Sequence, residues 1–159
     1  MKACTPAGKI KELVHRYYWV EDLNYARTSI LSLAVIFDFP VNEQVFQAAA
    51  GLHGAGGYRA QCGLVEGPLL FMGLYGHQSG RNESEVAKAC FDFAERFESR
   101  FGSLVCRDLR PNGFSPNDPP HACEALSVAA IEFSSRFIAG YWEAGFQGEY
   151  PVPSVCKQP

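Results

Sequence analysis

A chain of 159 residues is of ordinary single-domain size, long enough to bury a continuous core without disulfide or metal staples. Hydrophobic residues make up 47% and charged residues 19%, which places the chain among folded globular proteins and excludes a disordered one. A formal charge of -3 at pH 7, with Lys and Arg scattered along the chain, offers no basic field for a phosphate backbone, so nucleic acid is excluded as a partner.

The opening segment MKACTPAGKIKELVHRYYW has no apolar stretch of the signal-peptide kind, and the longest apolar windows, 30–39 and 67–75, are too short to span a bilayer. A cytoplasmic protein without a membrane span is expected, with a first helix near Lys9 to Trp19. From Asn24, a favourable N-cap, Ala26, Ile30, Leu33 and Phe37 recur at spacings of three and four until Pro40. Val41 to Leu52 carries Val45, Ala48, Ala49 and Leu52 on one predicted face, and the glycines of GLHGAGG end that helix. Another helix is predicted from about Cys62 to Tyr75. The segment NESEVAKACFDFAERFESRF has Asn82 as N-cap, Glu85 three residues on as a capping box, and Val86, Cys90, Phe93 and Phe97 as a core stripe. SLVCRDL reads as a short helical piece, and RPNGFSPNDPP as a turn-rich connector. The last helix is predicted to start near Pro119 with Ala122, Leu126, Ala129 or Ala130, Phe133 and Phe137 inward, and the stretch 145–159 to be an irregular tail. With strand signals nearly absent, the expectation is an all-α, single-domain bundle of about six helices, its core spanning about 10–142. The aromatic run RFIAGYWEAGF could cover a partner, which makes a homodimer an expectation.

Chemistry is carried by six cysteines, none of them in a CxxC, so neither a thioredoxin-type motif nor covalent haem attachment is indicated. Cys4 and Cys156 lie in the termini, and Cys90 falls on a core stripe, where a thiol behaves as a small inert hydrophobe. Cys62, Cys106 and Cys123 each fall near a predicted helix start, Cys106 three residues past the expected N-cap Ser103. Unsatisfied N–H groups and the positive end of the helix dipole favour a thiolate at such a start. Arg107 beside Cys106 would add to that effect. The spacings of 44 and 17 residues form no short metal-ligand pattern, and small residues placed by chance at helix starts account for them equally well.

These residues resemble a family. CGLVEG at 62–67, FGSLVCRDL at 101–109 and the later HACEAL match, in order and interval, the redox-active proteins named for their C…GCAxxG…C…C pattern. LNYARTSIL corresponds to the family's Asn-Cys-Ala-Gln helix opening, and AAAGLHGAGG to its glycine-rich run; the resemblance extends over roughly 10–138. Leu64 stands where the signature has alanine, and Tyr25 stands where it has its first cysteine, so three of the four characteristic thiols remain. The resemblance implies a redox role, and the occurrence of a similar domain in split-Soret cytochromes implies an iron–sulfur cluster or a single metal ion held by Cys62, Cys106 and Cys123, together with a redox partner protein. Clusters of that kind normally take four cysteines, with His an occasional substitute. Tyr25 is then either a substitute ligand or a phenol that packs and donates one hydrogen bond, and His53 and His121 are candidate fourth ligands. Gly56, Gly57, Gly63 and Gly67 would let backbone approach a neighbouring helix or point N–H groups at a bound sulfur.

The glycine run also invites a phosphate-loop interpretation, but it lacks a preceding strand and a Gly-Lys-Ser/Thr ending. Nucleophilic catalysis by Cys62 with His53 has no spacing that fixes its geometry. Two other functions stand beside the metal site: thiol–disulfide redox chemistry through two of the three thiols, and a non-catalytic helical interaction module with a degenerate cysteine site.

Overall fold

The computed structural model describes residues 7–143. Seven right-handed helices carry them: α1 (Ala7–Trp19), α2 (Tyr25–Phe37), α3 (Glu43–Ala48), α4 (Gly63–Gln78), α5 (Glu83–Phe101), α6 (Cys106–Leu109) and α7 (Glu124–Glu143). Among these residues the only strand-like pairing is an antiparallel bridge between Gln61 and Val105. The fold is all-α, as the periodicity predicts. No helix is long and apolar enough to cross a membrane among the described residues. Cys4, Cys156 and the stretch expected to form an irregular tail lie outside them.

Two caps act where the sequence places them. The Asn24 side chain accepts from the Arg27 N–H at 2.9 Å, while its amide donates to the carbonyls of Ala49 and Ala50, tying the start of α2 to the end of α3. Asn82 and Glu85 form a reciprocal capping box at 3.0 and 2.9 Å, satisfying two backbone donors at the start of α5.

The most extensive helix pairing is α2 with α4, and two small residues make it close. A Cβ on Gly67 would sit 2.6 Å from the Ala26 carbonyl oxygen and 2.8 Å from the Ser29 Cβ. One on Gly63 would sit 2.7 Å from the Leu52 carbonyl oxygen and 2.8 Å from the Ala26 nitrogen. Spaced four apart on one face, these glycines set the backbone of α4 against the first turn of α2. The main core lies beyond that contact, where Phe71, Phe93, Phe97 and Phe137 are fully buried.

Several boundaries differ from the predicted ones. α3 starts at Glu43, capped by Asn42, and ends at Ala48; a 3₁₀ turn over Ala49–Gly51 follows, only Ala49 of the expected face is buried, and Ala48 is exposed. α4 runs on to Gln78. The last helix starts at Glu124 because His121 adopts a left-handed φ of 58°, which a continuing helix does not allow. Cys90 is half-buried, and Ala89 takes the core position beside it. The aromatics of the last helix point inward: Phe137 is buried, Trp142 stacks on Tyr75 at 5.8 Å, and the Tyr141 hydroxyl donates to Asp92 at 2.7 Å. Tyr141 and Trp142, each part-exposed, pack against the main core.

Candidate functional site

Backbone pairing in the loops brings two distant cysteines together. The Cys62 N–H donates to the Leu104 carbonyl at 2.9 Å and the Cys106 N–H to the Ala60 carbonyl at 2.7 Å. These bonds flank the Gln61–Val105 bridge, so residues 60, 62, 104 and 106 project to the face opposite Gln61 and Val105. Cys62 and Cys106, 44 positions apart, therefore extend from the same side of one two-stranded step.

The loop that delivers the step is a left-handed turn. Gly54, Ala55, Gly56 and Gly57 have successive φ values of 69, 54, 67 and 86°, closed by the Gly57 N–H on the His53 carbonyl at 3.2 Å. Each L-residue in that conformation costs roughly 1–2 kcal/mol, which is why three of the four are glycine. At Gly54 space is tight as well: a Cβ there would lie 3.2 Å from the Arg59 Cα and 3.3 Å from the Cys106 Cβ. Arg59, also left-handed at φ 72°, closes the loop, and its carbonyl accepts the Arg107 N–H at 3.4 Å.

Cys123 is held from the other side. Its carbonyl accepts both the Ser127 N–H and the Ser127 hydroxyl, each at 2.8 Å. With that hydroxyl committed, the Tyr18 phenol is the donor in the 2.6 Å bond between Tyr18 Oη and Ser127 Oγ. The preceding turn is clamped aromatically: His121 stacks on Tyr18 at 4.8 Å and meets Trp19 edge-on at 5.0 Å. His121 is thus a structural wedge beneath Cys123 and does not line the site.

Cys62, Cys106 and Cys123 all line one cavity of about 170 Å³. Tyr25, at the first position of α2, lines it too, and its phenol pulls the Cys123 thiol pKa down while that thiol pushes the phenol's up. His53 and Gly57 stand on the wall, with Leu64, Leu109 and Leu126 supplying apolar surface. Gly56 is exposed in the left-handed turn, and Gly63 and Gly67 serve the α2–α4 contact. Arg107 is exposed and absent from the lining. The cations at the cavity are Arg59 and Arg110, which sequence reasoning missed, as it missed Phe114, whose ring lies under both guanidiniums at 3.9 and 4.7 Å. Alternation across the loop bridge, had the bridge been foreseen, would have separated Arg107 from Cys106.

The electrostatics reverse the expectation of low-pKa thiols. Burial pushes Cys62 up to about 12; the Leu64 backbone N–H pulls the other way, but the nearby Cys106, Cys123 and Glu66 add to the rise. Burial also raises Cys106, against the pull of Arg110 and Arg59. It raises Cys123, against Arg110 and the Tyr25 hydroxyl. Tyr25 is pushed up to about 12, first by burial and then by Cys123. Helix starts do favour thiolates, but Cys62 is only 5% exposed and α6 is a single turn, so desolvation wins. Cys106 is the most exposed of the three.

Residues 26–137 match the family model described as "Putative redox-active protein (C_GCAxxG_C_C)". The chain belongs to this family. Neither a curated protein nor a solved structure matches it. The family match begins one residue after Tyr25.

Within this family the metal or cluster can be tested on the donors themselves. Three thiols are present where a cluster normally takes four. Among the described residues no three His, Cys, Asp or Glu side chains stand close enough together to hold one metal ion. His121, proposed as a fourth ligand, is stacked elsewhere. The donor set as arranged does not fit a cluster or a metal ion.

Proposed function

We propose that this cavity is the redox site of the chain and that it works by thiol–disulfide exchange. The observation that carries this is the meeting of three cysteines from three separate segments, with Tyr25, around one cavity. Cys106 is the attacking thiol: it is the most exposed of the three, and although burial raises its pKa, Arg110 and Arg59 offset part of that rise. Its sulfur, having given up a proton, attacks one sulfur of an external disulfide. That S–S bond breaks, the departing thiolate takes up a proton, and a mixed disulfide remains on Cys106. Cys62 or Cys123 then loses its proton and attacks the Cys106 sulfur, releasing the second thiol. Two electrons leave the cysteine pair, and one external disulfide becomes two thiols.

Tyr25 has a place in this scheme that it lacks in a cluster. A phenol beside Cys123 favours the thiolate that forms there. Replacement of the fourth thiol also leaves fewer wrong pairings for the remaining three. Peptide mass spectrometry on protein incubated with excess disulfide tests the proposal. The expected product joins Cys106 to Cys62 or Cys123. If the three thiols stay free, and replacing all three by serine changes no reactivity or partner binding, the chain is the non-catalytic helical module instead.

A further inference from the structure

We propose that the cavity selects a small, carboxylate-bearing disulfide, with Arg59 as the anion ligand at its mouth. This rests on the thiol-exchange function above and names the substrate class for it. No Asp or Glu lines the cavity, whereas Arg59 and Arg110 do, on a chain whose formal charge is -3. The positive field is local to the site and opposes the sign of the whole molecule, so it focuses anions at the thiols.

The two arginines differ in what they are free to do. Arg110 is committed, with its ε N–H on the Gly113 carbonyl at 2.9 Å and its Nη 3.3 Å from Asp118. Arg59 has no carboxylate within ion-pair distance among the described residues. Its guanidinium rests on the Phe114 ring, which fixes the plane of the fork and leaves its donors for a ligand. Its backbone is held left-handed at φ 72°, a conformation that a non-glycine residue adopts at a cost and that recurs at ligand sites. The strain, the aromatic shelf and the missing counter-ion coincide at one residue on the rim.

Size limits the substrate further. Cavities of roughly 150 Å³ take a benzene-sized guest. The space here, about 170 Å³, therefore admits the sulfur end of a small aliphatic disulfide. A carboxylate two or three carbons from the sulfur would reach the rim while its disulfide lies against Cys106. Exchange would follow the scheme above, with the small molecule leaving as two carboxylate-bearing thiols.

Three disulfides of matched length vary the charge: dithiodipropionate, hydroxyethyl disulfide and cystamine are negative, neutral and positive. Each rate is divided by that of the same disulfide with a free small thiol, because their leaving thiols differ in pKa. The probe is the rate at which each oxidises the reduced protein at low ionic strength. The expected order is anionic, then neutral, then cationic, with the anionic-to-neutral ratio about tenfold, the size of one charge-assisted hydrogen bond. In Arg59→Gln that ratio should fall toward one, and added salt should shrink it in the unaltered chain. Using the ratio removes any change in intrinsic Cys106 reactivity. Equal normalised rates for all three disulfides, or a ratio untouched by Arg59→Gln and by salt, would overturn the anion selectivity and leave thiol exchange standing. If none of the three disulfides reacts, thiol exchange itself falls and takes this inference with it.

Discussion

Two regions of one continuous core are built by different means. In the first, Phe93, Phe97, Phe133 and Phe137 meet in a ring cluster with centroid distances of 5.4 to 6.4 Å, contributed by the long helices α5 and α7. In the second, a left-handed turn, a single backbone bridge and a one-turn helix surround a cavity lined by thiols and arginines. The aromatic region is dense and periodic and supplies stability. The cysteine region leaves space and holds its chain by backbone bonds, which is what an exchange site requires: fixed sulfurs with room for an external disulfide.

Phe93→Ala should separate the two regions most sharply. It empties a fully buried site and should cost about 3–5 kcal/mol in denaturant unfolding, while the folded fraction keeps Cys106 as its fastest-reacting cavity thiol. A loss of Cys106 selectivity in that folded fraction would show that the regions are coupled. Gly67→Ala, at the contact joining α2 to α4, should cost about 1–3 kcal/mol by overpacking against Ala26, whereas Gly73→Ala on the same helix has open space and should be neutral or stabilising. Melting curves of the pair decide whether the close approach matters.

The third effect is a pH slope. Cys62 titrates at about 12 when folded and near 9 when unfolded, so below pH 9 both states keep the proton. Above 9 the unfolded chain releases it and the folded chain does not, so stability falls as pH rises toward 12. The contribution is at most about 1.4 kcal/mol per pH unit. Comparing denaturant midpoints of the unaltered chain and Cys62→Ala across this range should show a shallower fall in the variant. The smallest expected change in stability is Cys106→Ser, within about 0.5 kcal/mol as for a half-exposed position, although it should abolish disulfide exchange. A Cys106→Ser chain that still exchanges would move the attacking role to another thiol.

Legibility in the sequence follows the same division. The aromatic region could be read because a helix imposes a 3.6-residue period, and Asn24 and Asn82 cap where that period starts. Cys62, Cys106 and Cys123 could be singled out from a family signature, but their meeting depends on the bridge between residues 61 and 105, which has no period to reveal it. Arg59 and Arg110 escaped notice because each looks like an ordinary surface cation, and adjacency favoured Arg107. The thiol pKa direction is hidden in the sequence because a helix start is visible there and burial is not: Cys62 sits at a true N-cap position, yet desolvation outweighs the dipole. His121 was chosen for its nearness to Cys123, and the left-handed turn at that residue sends its ring to Tyr18 instead.

The central claim, that the cavity thiols form one two-electron couple, is tested most directly by a redox titration. With Cys4 and Cys156 replaced by serine and Cys90 by alanine, the chain is equilibrated across a series of dithiol/disulfide buffers and its free thiols are counted. The count should fall from three to one in a single two-electron transition, with Cys106 in the bond. A count that stays at three at every poise, or a transition that persists in Cys106→Ser, would contradict the account.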